Sequence, residues 1–267
     1  MKLIKSQVVF NPDEHTYMLG DKELSGITSV IGRQLFPDKY RDVPEDVLRK
    51  AAERGTMIHS ICELVDDMGI THDSDEAQGY KELKDDWGLR YECSEYLVSD
   101  NEHYASCIDK VYRENDTDFT LGDIKTTYML DKESVKWQLS IYAYFFELQN
   151  PGCNAVRLIG IWLRGKNHEI VEVERIPSEV VMNLLKCDSE GRQFVNPYSI
   201  SPVTLPDEYR KMERTIQEIV SQAKYWSDKK KEITDGVMMA MVEAGEYSWK
   251  GDIISFTRKK DTIRKDF

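Results

Sequence analysis

The spacing of apolar and polar residues changes repeatedly along the 267-residue chain, and each change marks a predicted element. Residues 8 to 19 alternate loosely around Asn11-Pro12-Asp13-Glu14 and lead to Leu19-Gly20-Asp21-Lys22, which predicts a short β-hairpin with glycine-containing turns. Ser25-Gly26-Ile27-Thr28 then opens a helical stretch through Leu35. From Pro44, the residues Val47, Leu48, Ala51, Ala52, Ile58, Ile61, Leu64 and Val65 recur at helical spacing, so a long helix is expected, with Gly55 as a point of interruption and Gly69 closing it. A third helix, acidic and amphipathic, follows from Ser74 to Trp87.

Between Arg90 and Lys125 the period shortens to that of strands. Runs at 91–98, 104–112 and 119–124, separated by Ser99-Asp100-Asn101 and Asn115-Asp116, predict a three-stranded meander. Asp131 caps a helix reaching Leu148, which Asn150-Pro151-Gly152 ends. Residues 156–163 are nearly all apolar, the pattern of a strand buried on both faces, and 168–175 alternate as an outer strand before Pro177 starts another helix. After a connector at 196–206, a charged helix runs from Asp207 toward Lys231 or beyond, and 247–257 resemble a terminal hairpin around Lys250-Gly251. The expected fold is α/β (α+β): a central mixed sheet flanked by helices over residues 1–205, and a helical and hairpin extension over 206–267.

Composition narrows the class of protein. No apolar run approaches the roughly 18 residues of a membrane span, and the N-terminal apolar stretch is too short for a signal peptide. A cytoplasmic protein is expected. Five separated cysteines (62, 93, 107, 153 and 187) without a CxxC pair read as reduced, mostly buried thiols. The net charge of −12 runs against nucleic-acid binding, since neutralised phosphates supply most non-specific affinity. That charge is uneven, however: residues 63–102 carry 13 acidic and three basic side chains, whereas the chain from 206 onward holds 13 basic and 12 acidic ones. The acidic stretch reads as a solvated face, and the basic tips Lys229-Lys230-Lys231 and Arg258-Lys259-Lys260 as solvated or phosphate-touching.

The chemistry concentrates on the meander. Ile108-Asp109 lies on one strand and Gly122-Asp123-Ile124-Lys125-Thr126 on the next. Residues two apart on a strand share a face, so Asp123 and Lys125 project together and an antiparallel neighbour can set Asp109 beside them. Two carboxylates and a backbone carbonyl are oxygen donors suited to Mg²⁺ or Mn²⁺, and an ammonium beside them can orient a water or offset charge on a phosphate.

A D-x-K triplet carries little alone; its company makes it specific. Upstream stands Ala51-Ala52-Glu53-Arg54-Gly55-Thr56-Met57-Ile58-His59-Ser60-Ile61-Cys62-Glu63, and downstream Gln138-Leu139-Ser140-Ile141-Tyr142. In this order, over residues 10–165, the chain resembles the RecB-like branch of the PD-(D/E)XK nucleases, which includes phage-type recombination exonucleases and Cas4-like proteins. The resemblance implies a restriction-endonuclease-like core and a metal-dependent deoxyribonuclease activity. It implies Asp109, Asp123, Lys125, Gln138 and Tyr142 as the catalytic set, with Gln138 and Tyr142 supporting the lysine and contacting DNA. Metal ligands would be His59, Asp109, Asp123 and the carbonyl of Ile124, with Glu63 and Glu95 in supporting places. Two departures stand out: Ser106-Cys107 replaces the Gly-Thr type of pair before the first aspartate, and the cysteine spacings do not suit an iron-sulfur cluster. DNA is the implied partner, together with a single-strand annealing recombination protein. The other readings of the same residues are a structure-selective endonuclease and a non-cleaving DNA-binding or assembly module.

Overall fold

The computed structural model describes residues 2–257 apart from 13, 42, 70, 71, 200–206, 252 and 253. The chain forms two compact units, Met1–Pro197 and Tyr198–Phe267.

In the first unit, strands β1 (Val9–Asn11), β2 (Thr16–Leu19) and β3 (Lys22–Gly26) make a small antiparallel meander where the sequence predicted a two-stranded hairpin. The third strand was hidden because only Leu24 of its five residues is buried, too few for an alternating pattern to show. Helix α1 (Ile27–Leu35) buries Ile27, Val30 and Ile31. Helix α2 (Glu45–Met68) passes through Gly55 without interruption and ends where Gly69 adopts φ 64°. An interior glycine costs about 1 kcal/mol, whereas the burial of Ile58, Ile61, Cys62 and Val65 further along the helix stabilises it by roughly 1.5–3 kcal/mol per large side chain; packing outweighs propensity. Helix α3 (Asp75–Asp86) starts at Ser74, whose hydroxyl accepts from the Ala77 amide.

Strands β4 (Tyr91–Ser99), β5 (Tyr104–Arg113) and β6 (Asp118–Lys125) form the expected antiparallel meander. Helix α4 (Lys132–Gln149), capped by the Asp131 carboxylate on the Ser134 amide, then carries the chain back to β7 (Asn154–Arg164), which lies parallel to β6. Edge strand β8 (Asn167–Glu172) is shorter than its sequence pattern. Beyond it the chain turns toward α4: Arg175 pairs with Glu147, and the Ile176 amide donates to Ser140 Oγ at 2.9 Å. Helix α5 (Ser178–Ser189) follows, with Pro177 at its N-cap.

The result is an α/β unit around a mixed sheet of eight strands, ordered β1-β2-β3-β5-β6-β7-β8 with β4 also paired to β5. One core includes Ile27, Ile108, Phe119, Trp137 and Phe146 and brings α1, α4 and α5 onto the sheet; the other joins Ile58, Tyr80, Tyr112 and Ile161 under α2 and α3. The outer side of α3 is acidic, with Asp75, Glu82, Asp85 and Asp86 exposed.

In the second unit, α6 (Asp207–Glu243) extends well past Lys231, and β9 (Ser248–Lys250) pairs with β10 (Ser255–Thr257) as the expected hairpin. Lys229 pairs with Glu232 at 2.8 Å. Arg258-Lys259-Lys260 lie outside the described residues.

Candidate metal-dependent active site

Strand β5 changes partners along one edge. At its start Tyr104 and Ala105 run beside β3, and from Lys110 to Arg113 it pairs with β6. The ladder to β6 ends at Lys110↔Gly122, so the next opposed residues, Asp109 and Asp123, fall where the two strands part. The opened backbone is capped by a side chain: the Ile124 amide donates to Asp109 Oδ2 at 2.7 Å. A fork of this kind gathers side chains from both strands while leaving room between them.

On β6, Asp123 and Lys125 project toward α4. Lys125 Nζ lies 2.8 Å from Asp123 Oδ2 and donates to Gln138 Oε1 at 3.1 Å, and Gln138 Nε2 donates to Asp123 Oδ1 at 2.7 Å. Gln138 Nε2 also donates to the Tyr142 hydroxyl at 2.6 Å, and Ser106 Oγ donates to that same hydroxyl at 3.3 Å. Gln138 and Tyr142 are thus brought to the lysine, but Tyr142 is 2% exposed and cannot touch DNA in this arrangement; its role is to hold Gln138. Asp123 is buried, because these α4 side chains cover it. Lys125 keeps 27% of its side chain exposed and is the group that opens outward.

Burial pushes the Asp123 carboxyl up to about 6; Lys125 pulls against this and Asp109 adds to it. For Lys125 burial acts downward, yet Asp123 and Asp109 outweigh it and hold the ammonium above its usual value. The lysine is therefore a charged donor at neutral pH rather than a free base.

His59 enters from α2. Its Nε2 lies 3.2 Å from the Ile124 carbonyl, which fits a proton on that nitrogen and leaves the Nδ1 lone pair toward Glu95 Oε1 at 4.0 Å and Asp109 Oδ2 at 3.8 Å. Ligand atoms of His59, Glu95 and Asp109 lie within 4.8 Å of one another. Glu95 reaches this cluster from β4 because its backbone takes φ 48°, an unusual conformation inside a strand for a residue with a Cβ. Its carboxylate accepts from Cys107 Sγ at 3.2 Å, and burial followed by Asp109 raises its pKa. Glu95 thus belongs with the candidate ligands, not in a merely supporting place, and Glu63 acts on it only as a nearby charge. Imidazole, carboxylate and carbonyl donors together suit Mn²⁺ or Mg²⁺. Asp123 Oδ2 fits as well: it is buried and, despite the nearby Lys125 ammonium, accepts no well-formed hydrogen bond.

Several contributors carried no sequence signal. Lys110, next to Asp109 but on the other face, is enclosed and reaches Asp66 Oδ2 and Ser94 Oγ, each at 2.7 Å. Asp66 also holds Lys84 and accepts from the Tyr80 hydroxyl at 2.7 Å, tying α2 and α3 to β5. Beyond Lys125, the Thr126 carbonyl accepts from Arg54 Nη1 at 3.3 Å and Arg164 Nη1 at 3.0 Å, while the Thr127 carbonyl accepts from Trp162 Nε1 at 2.8 Å. Charge and aromatic character at these positions suggest exposure; only the tertiary pairing reveals what they hold.

No family model matches the chain, and no curated protein matches it. Among solved structures, one titled "Crystal structure of SSO0001" is similar at 15% sequence identity, covering 71% of this chain and 88% of that one, with a TM-score of 0.39. No helix among the described residues is long and apolar enough to cross a membrane.

Proposed function

We propose that the protein is a Mg²⁺- or Mn²⁺-dependent deoxyribonuclease that hydrolyses phosphodiester bonds at the fork between β5 and β6. The observation that carries this reading is the meeting of Asp123, Lys125 and Gln138 in one hydrogen-bonded unit beside Asp109 and the Ile124 carbonyl. Asp109, Asp123 and the Ile124 carbonyl, with His59 and Glu95 alongside, would hold a divalent ion, which would supply Lewis acidity to the phosphate and acidify water. Lys125, charged and anchored by Gln138, orients the attacking water and offsets charge gathering on the phosphate. Tyr142, itself bonded by Ser106, holds Gln138, which in turn accepts from Lys125 and donates to Asp123. The family resemblance extends the proposal to a phage-type recombination exonuclease, and five cysteines present as thiols rather than disulfides fit a cytoplasmic setting.

The test is incubation of the purified protein with end-labelled linear and closed circular DNA in Mg²⁺, Mn²⁺ or EDTA. Cleavage is expected with either metal and not with EDTA, and loss of linear but not circular DNA marks an exonuclease. Asp123→Asn and Lys125→Ala should each slow cleavage by about 10²-fold or more with an unchanged circular dichroism spectrum. Wild-type rates in either variant, or no cleavage with either metal, would overturn the proposal.

A further inference from the structure

We propose that the DNA strand arrives at Lys125 unpaired, its bases stacked on the exposed rings of Tyr40 and Tyr128. This deepens the nuclease reading and rests on it. Both tyrosines lie on loops joined to the end of the lysine's strand: Tyr128 stands three residues beyond Lys125, and Tyr40 follows Lys39, whose ammonium reaches Asp131 at the far end of the same loop. Tyr128 is 81% exposed and Tyr40 55%, and Met129, next to Tyr128 in the chain, is 73% exposed. A large ring held in water at a site opening is more informative than a scattered surface residue, because exposing it forgoes a sizeable burial energy.

Both rings are presented on fixed backbone. The loop after Lys125 is pinned by Arg54, Arg164 and Trp162 at its first two carbonyls, and Thr127 Oγ1 donates to the Met129 carbonyl at 2.8 Å. The Tyr40 segment is turned by the Lys39 amide on Phe36 O at 3.1 Å and the Val43 amide on Tyr40 O at 3.2 Å. It is tied to the N-cap of α4 by Lys39 Nζ to Asp131 at 2.7 Å. Such preorganisation lowers the ordering cost of binding.

Each ring also carries a cation: the Arg164 guanidinium lies 6.0 Å from the Tyr128 centroid, and Lys39 Nζ lies 5.5 Å from that of Tyr40. Arg164 spends one nitrogen on the Thr126 carbonyl and pairs with no carboxylate among the described residues, which leaves its charge to a phosphate. Aromatic faces alternating with cations are the chemistry of single-strand binding, in which every base offers a π-face.

Charge selects the same occupant. At a net −12, with an acidic α3, the protein gains little from neutralising the dense phosphates of a duplex. Stacking needs no net charge but does need a free base face, which a duplex keeps within its own stack. The aromatic cluster of α4 cannot serve, since Tyr142, Phe145 and Phe146 are buried.

The experiment measures anisotropy of a dye-labelled short single strand, its blunt duplex and an abasic strand of equal length, all in EDTA. The single strand should bind at least about tenfold more tightly than the duplex, and Tyr40→Ala or Tyr128→Ala should each weaken it by about tenfold. Tyr→Phe at either position should stay within about twofold of wild type, and the abasic strand should bind as weakly to wild type as to the double alanine variant. Equal affinity for duplex and single strand, undiminished binding by the alanine variants, or full affinity for the abasic strand overturns this proposal, and does so alone if DNA is still cleaved. Absence of both binding and metal-dependent cleavage removes the nuclease reading with it.

Discussion

Asp123 sits where no water reaches it, between a lysine that favours its charge and a second aspartate that opposes it. With its carboxyl raised from 3.8 to about 6, the folded protein holds this proton more tightly than the unfolded chain does. In the metal-free protein, stability therefore falls as pH rises through that window, since proton binding favours the folded state there. A metal needs the deprotonated form, so Mn²⁺ affinity measured by calorimetry should rise about tenfold per pH unit up to about pH 6 and level above it. Asp123→Asn should flatten that profile. Strand spacing put Asp123 and Lys125 on one face and let Asp109 join them, because the strand period dictates which side chains share a face, whereas Gln138 was legible only through the resemblance. Glu95 was visible only as a nearby carboxylate: its place among the ligands depends on a backbone torsion, which no period encodes.

Among the elements, α2 must hold His59 over the fork, and two helical turns further along, Asp66 fastens it. Its side chain is enclosed with Lys110, which is 2% exposed, and with Lys84. Removing one member of such a group leaves the others charged and unpartnered, which costs about 3–5 kcal/mol. Urea denaturation of Asp66→Ala should show a loss of that size; an unchanged midpoint would mean that the network contributes nothing to fastening the helix. Helices α2, α3 and α4 and the β4–β5–β6 meander were readable from apolar spacing because each buries a row of side chains. Strand β3 was missed for want of buried residues, and the end of β8 was misjudged because Ser140 and Glu147, far away in sequence, draw Arg175 and Ile176 off the sheet.

For the whole molecule, the uneven distribution of charge matters more than the total. The segment 63–102, legible in sequence as an acidic block, becomes the exposed side of α3 together with parts of α2 and β4. The cations around the site are few, and Arg54 and Lys39 are already paired with Glu76 and Asp131. Single-strand affinity should therefore depend weakly on salt, with a log–log slope below about 3, since each neutralised phosphate contributes about 0.7. Anisotropy titrations across a salt series would check this, and a much steeper slope would point to the basic residues of the second unit instead. Which cations are already paired was not legible in the sequence, because composition gives the number of charges but not their partners.

The acidity of α3 has a further consequence for how such an enzyme would work. An enzyme with so acidic a helix on its nuclease-like unit would be poorly suited to glide along a duplex, because gliding relies on continual exchange of phosphate contacts. It would meet a strand end, cut, and let go, returning to solution between encounters rather than travelling with its substrate.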